Sequence, residues 1–122
     1  MTRLCLVQLP VPQPAALAAT GNVPLAAGYL GVAACVHGLP ARGLEIEVVE
    51  PAITDAYGDS QLADHLARHE PALVGFSLYL WNVERSLHLA REVKRRSPRT
   101  RVVIGGPEVS ADNPFVLQQA GF

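Results

Sequence analysis

Residues 72–96 read ALVGFSLYLWNVERSLHLAREVKRR, and a change of period inside this stretch decides the fold. Ala72 to Phe76 is an unbroken apolar run, as a strand covered on both faces requires. From Asn82 to Arg96 the period lengthens to that of an amphipathic helix. Val83, Leu87, Ala90 and Val93 form its apolar stripe; Glu84, Arg85, His88, Arg91, Glu92 and Arg95 form its wet face. A buried strand leading into a surface helix is the half-unit of a parallel sheet with helical crossovers.

The same alternation continues in both directions. Upstream, Leu4 to Leu9 is another buried-strand run, followed by a Pro-rich loop from Pro10 to Gly21. Asn22-Val23-Pro24 opens a helix, with a capping side chain and a proline where a missing N–H is harmless. Leu25, Tyr29, Leu30, Ala33 and Val36 follow at helical spacing, and Gly38 and Pro40 close the segment. Leu44 to Glu50 alternates, Ile46 and Val48 against Glu45 and Glu47, which suits a strand at the sheet edge. Asp59 or Ser60 caps a short helix with Leu62, Ala63 and Leu66 inward, ending before Pro71. Downstream, Arg101 to Ile104 is a fourth strand running into Gly105-Gly106-Pro107. Asp112-Asn113-Pro114 caps a last helix, with Phe115, Leu117 and Ala120 available for packing. The order βαβαβαβα implies an α/β fold: a doubly wound parallel sheet with right-handed crossovers. A domain of this class would next supply a fifth strand to cover the edge of strand four. The expectation is that residues 1–122 are one domain, the N-terminal piece of a longer protein.

Composition narrows the function. Ten basic and eleven acidic residues give a net charge of −1, without the basic footprint of a nucleic-acid binder. Charged residues are 17% of the chain and apolar ones 49%, so the polar surface is thin and something outside the chain is expected to cover part of it. No apolar stretch approaches the ~20 residues of a membrane span, and the N-terminal run leads into prolines rather than a cleavage site. Cys5 and Cys35 have no metal-binding spacing and read as buried thiols of a cytoplasmic protein.

In open parallel sheets ligands bind beyond the carboxyl ends of the strands, which directs attention to Pro10–Asn22, Pro51–Gly58, Ser77–Asn82 and Gly105–Asn113. The first loop has neither G-x-G-x-x-G nor a P-loop, so nucleotides are excluded, and Glu50 reads as a solvated strand end. Pro10 and Ser77 stand where a phosphotransfer receiver would need acidic residues. In the third loop Tyr79, Leu80 and Trp81 either cap the core or await a flat ligand or another domain. Ser77 at the strand end either satisfies local backbone or touches a ligand. Gly105 and Gly106 remove side chains where a ligand would pass, although a plain tight turn explains them equally well. Ala26, Ala27, Gly28, Gly31, Ala33 and Ala34 make the first helix small-sided, so it packs close to the sheet or borders a slot. Histidines 37, 65, 69 and 88 fall on helices as surface residues.

Four segments, Asn22–Leu30, Val48–Pro51, Val74–Asn82 and Val103–Glu108, together resemble the cobalamin-binding domain at the N-terminus of B12-dependent radical SAM proteins. The resemblance implies a flavodoxin-like sheet of order 2-1-3-4-5 with the corrin lying over the strand ends. It places Asn22, Val23, Pro24, Leu25, Ser77, Leu78, Tyr79, Leu80, Trp81, Gly105, Gly106 and Pro107 in the cofactor site. Ser77 corresponds to the serine that contacts the dimethylbenzimidazole tail, and Gly105 and Gly106 to the pair that lets the tail pass. The family's D-x-H-x-x-G loop is absent, with no histidine or aspartate between Pro10 and Asn22, so cobalamin is expected base-off without a protein ligand. Tyr79 replaces the leucine of the family's S-x-L. The resemblance also implies a radical SAM domain after Phe122 in the same polypeptide, carrying a 4Fe-4S cluster and S-adenosylmethionine, since two cysteines cannot hold a cluster. This chain alone would then be no enzyme, and the parent would transfer methyl groups. The competing reading is a non-catalytic α/β docking domain whose aromatic loop packs on a neighbour. A flavin module is weaker, for want of a phosphate cradle.

Overall fold

Four apolar runs pair as parallel strands in the computed structural model, which describes residues 1–12, 23–119 and 121. Strands β1 (Thr2–Val7), β2 (Leu44–Val48), β3 (Leu73–Ser77) and β4 (Arg101–Gly105) lie in the order β2-β1-β3-β4, with β2 at an edge as its alternation requires. The crossovers are α1 (Leu25–Val36), α2 (Pro51–Ala56) with α3 (Asp59–Ala67), and α4 (Val83–Arg96); α5 (Pro114–Gln119) follows β4. Among the described residues, no helix is long and apolar enough to cross a membrane.

Alternation along the strands divides the sheet into two faces. Cys5, Val7, Val74 and Phe76 face the main core, joined by Leu62 and Leu66 of α3 and by Leu87, Ala90 and Val93 of α4. Each fully buried leucine contributes roughly 1.5–3 kcal/mol, so this layer dominates the stability. Asp59 accepts from Arg85 at 2.7 Å, and Arg96 meets Asp64 at 3.1 Å, fastening α3 to α4 at the surface. At the base of β4, Thr100 Oγ1 lies 2.8 Å from the Pro71 carbonyl and 2.7 Å from Ser97 Oγ, a buried network that sets where the strand begins.

Several sequence expectations need correction. Leu25, Tyr29, Leu30, Ala33 and Val36, which recur at helical spacing, are all exposed; of the small-sided residues of α1, Ala27 and Ala34 are the buried ones. The helix lies too close to the sheet for large side chains: a Cβ built on Gly31 would be 3.8 Å from Val48. Pro24 occupies the N-cap of α1 with no side-chain cap, and the proposed cap Asn22 lies outside the described residues. The Pro51–Gly58 loop contains α2, which the extended Glu50 and the proline after it initiate. Gly58, rather than Asp59 or Ser60, is the N-cap of α3, and its N–H donates to Gln61 Oε1 at 3.3 Å. On α5, Val116 is the buried residue, whereas Phe115 and Leu117 are exposed and Ala120 lies outside the described residues. Asn113 does cap that helix, accepting from the Val116 N–H at 3.4 Å. Cys35 is exposed; Cys5 alone is buried. His37 and His69 sit in turns after their helices, and His65 is partly covered beside Glu47 at 3.5 Å.

Candidate functional site

Ser77 and Gly105 form the last rung of the β3–β4 ladder. Both belong to the face opposite Val74 and Phe76, together with Gly75 and Val103. Val103, at the middle of β4, remains 49% exposed, so this half of the face is open. A Cβ built on Gly105 would meet nothing within 4 Å. The open trough is therefore confined to the strand ends at Ser77 and Gly105; over Gly75 the space is taken by Leu6, whose Cδ2 would lie 2.9 Å from a Cβ there.

The turns above the trough are bound to each other. Leu78 N–H donates to the Gly105 carbonyl at 2.7 Å, and Glu108 N–H donates to the Leu78 carbonyl at 3.3 Å. Gly106 has φ +103°, and a Cβ there would lie 2.6 Å from the Leu78 oxygen. This glycine is demanded by the chain itself, both by its backbone conformation and by the close approach. Pro107 follows it on the exposed side of the turn. Leu78 is fully buried, so its side chain serves the core.

Asn82, a residue missing from the sequence-derived site, organises the rim. It is 2% exposed; its Nδ2 donates to the carbonyls of Leu9 at 3.0 Å and Ser77 at 3.2 Å, and its Oδ1 accepts from Tyr79 N–H at 2.8 Å. The ends of β1 and β3 are thereby locked to the loop that follows β3. The one sequence signal was an asparagine at a helix start, which reads as an ordinary cap; its side chain makes no cap bond here.

Above this frame Tyr79 and Trp81 stack with centroids 4.7 Å apart and planes 8° from parallel. Leu80 is 78% exposed. On the other side of the rim, Gln8 Nε2 donates to the Val23 carbonyl at 3.2 Å, which ties the exposed Val23 and the start of α1 to the end of β1. The structure thus brings Ser77, Tyr79, Leu80, Trp81 and Gly105 together and holds Val23 to the strand beside them. Among the described residues, no group of three or more histidine, cysteine or acidic side chains could hold a metal ion. Burial, with the nearby Glu47 charge, pushes the Cys5 thiol up to about 12, so it is neutral and inert. A flat apolar platform beside an open strand end can receive a broad planar group with a slender appendage.

Residues 17–122 match the B12 binding domain family. The chain belongs to that family. A 49-residue stretch is also 41% identical to the cobalamin-dependent radical SAM methyltransferase TokK of Streptomyces tokunonensis, covering 40% of this chain and 7% of that protein. The parallel order β2-β1-β3-β4 is consistent with the flavodoxin-like architecture of a B12-binding domain. The residues present fit a broad, largely apolar cofactor such as cobalamin: Leu80 and Trp81 are exposed on the rim, and the strand end at Gly105 is open.

Proposed function

We propose that this B12-binding domain holds cobalamin base-off, with the dimethylbenzimidazole tail in the trough beside Ser77 and Gly105 and the corrin over Tyr79, Leu80 and Trp81. The observation that carries the reading is the empty space at Gly105, next to Ser77 in the last rung of the ladder. Glycine costs strand stability, and here no contact among the described residues requires it. Leu78, Gly106 and Pro107 build the platform's turn, and Val23, Pro24 and Leu25 border it at the start of α1, with Asn22 outside the described residues. No side chain replaces the displaced base at cobalt, since residues 10–22 contain neither histidine nor aspartate.

Cobalamin, when bound, supplies a cobalt centre able to carry a methyl group. The chain's own residues orient the ring, bury the tail and keep the cobalt face free of protein ligands. The methyltransferase named above supports a parent in which a radical SAM domain, with its 4Fe-4S cluster and S-adenosylmethionine, performs the chemistry. The experiment is titration of hydroxocobalamin into the full-length polypeptide, followed by reduction to Co(II) and electron paramagnetic resonance. Retained cofactor without splitting from an axial nitrogen is expected. Nitrogen splitting, or no retention, overturns the reading.

A non-catalytic docking domain is the second reading, favoured by the 78% exposure of Leu80. Ser77→Phe and Gly105→Leu separate the two. Cofactor binding demands at least a hundredfold loss of affinity with the circular dichroism intact, whereas docking alone leaves these strand-end changes without effect.

A further inference from the structure

A cavity of about 510 Å³ opens on the far side of the rim, between the β3–α4 and β4–α5 connections. Leu80, Trp81 and Phe115 form its apolar walls, and Glu84, Arg85 and Glu108 are its charged groups. Arg85 is already engaged: its Nε donates to Asp59 at 2.7 Å and its Nη2 to the Tyr57 carbonyl at 3.2 Å. Glu108 accepts a hydrogen bond from the neutral Asn113 side chain at 3.1 Å and meets no cation among the described residues. Glu84 has neither a hydrogen-bond nor an ion-pair partner among the described residues. With Arg85 offset by Asp59, the cavity carries two uncompensated carboxylates, which can accept hydrogen bonds but donate none.

Leu80 and Trp81 belong to both the cavity and the cobalamin platform. We infer that Glu84 and Glu108 read the periphery of the corrin, accepting hydrogen bonds from its primary amides and rejecting corrinoids that bear carboxylates there. The inference rests on the cobalamin reading above. Amide N–H groups complement a carboxylate, whereas a carboxylate in the same place meets like charge beside the apolar walls of the cavity. The domain therefore selects fully amidated cobalamin over its less amidated forms.

The test uses the full-length polypeptide at low ionic strength, titrated with hydroxocobalamin and with each of its monocarboxylic acids made by mild hydrolysis of the propionamides. At least one monoacid binds about fivefold or more weakly than hydroxocobalamin, the size of one close like-charge contact in water. That gap closes in the Glu84→Gln, Glu108→Gln double variant, whose changes at partly exposed positions leave the circular dichroism unaltered. Salt narrows it in the wild-type protein. Equal binding of every monoacid, or a gap that survives the double variant, overturns the inference while leaving cobalamin binding intact. Absence of hydroxocobalamin binding overturns the cobalamin reading and this inference together.

Discussion

Gly105 and Gly106 are adjacent and indistinguishable in sequence, yet their physical reasons differ. The space a side chain would take at Gly106 is filled by the Leu78 backbone, 2.6 Å from the Cβ position, and its φ of +103° excludes other residues independently. Gly106→Ala is expected to lose about 2–4 kcal/mol in urea unfolding, the sum of backbone strain and a clash that backbone atoms cannot easily relieve. Gly105→Ala has open space and an ordinary conformation, so stability changes by less than about 0.5 kcal/mol while cobalamin affinity falls. Reversal of that order would mean that the two turns are held differently. Cys5 gives a second residue-level expectation. Burial raises its folded-state pKa from the usual 9.0 to about 12, so below pH 9 the thiol is neutral both folded and unfolded. Between pH 9 and about 12 only the unfolded chain ionises, and this contribution to stability is lost as pH rises through that window. A thiol reagent at pH 8 should label Cys35 in the native protein and Cys5 only after unfolding. Ser77 and Gly105 were legible in sequence because they end apolar runs. The division of labour between the two glycines was not, since it depends on a backbone 28 residues away in the chain.

Elements were legible where burial and period agree. β3 and α4 fall within a residue of expectation because α4 has a fully polar outer face and packs one stripe against the core. α1 misled the reading: apolar on every side, it carries no period that distinguishes inner from outer face, and close packing selected its small residues. α2 is short, and a proline within a presumed loop concealed it. The joint between elements was the least legible part, as it depends on one side chain reaching across 73 residues from Asn82 to the Leu9 carbonyl. Replacing Asn82 with alanine strands two carbonyls and one N–H at the junction of β1, β3 and the rim loop. A loss of about 2–4 kcal/mol is expected from chemical denaturation, consistent with breaking a buried network. Asn82→Asp should be no better, because a carboxylate presents an acceptor to the Leu9 and Ser77 carbonyls where the amide donated. Full stability in Asn82→Ala would remove this residue from the account of the rim.

At the scale of the whole molecule, the thin polar surface inferred from composition has a location. Large apolar side chains are exposed along α1 at Leu25, Tyr29, Val32 and Val36, on the open sheet face at Val103, and on the rim at Leu80 and Trp81. The main core accounts for only one side of the sheet, so the face that carries the trough is the less stabilised half. A ligand seated there adds its binding free energy to folding, provided that the unfolded chain does not bind it. At a cobalamin concentration one hundred times the dissociation constant, that addition is about 2.7 kcal/mol. For a chain of 122 residues it corresponds to a rise in Tm of about 10 °C. Thermal unfolding followed by far-ultraviolet circular dichroism, with and without hydroxocobalamin, measures it directly. Gly105→Leu should unfold at nearly the wild-type temperature without cofactor and gain almost nothing from it, because the substitution fills the trough and spares the core. A docking domain behaves otherwise: its Tm is indifferent to the corrinoid in both forms. Equal Tm shifts in the wild type and the variant would place the cofactor away from the trough, so the pair of melts locates the binding site as well as detecting it.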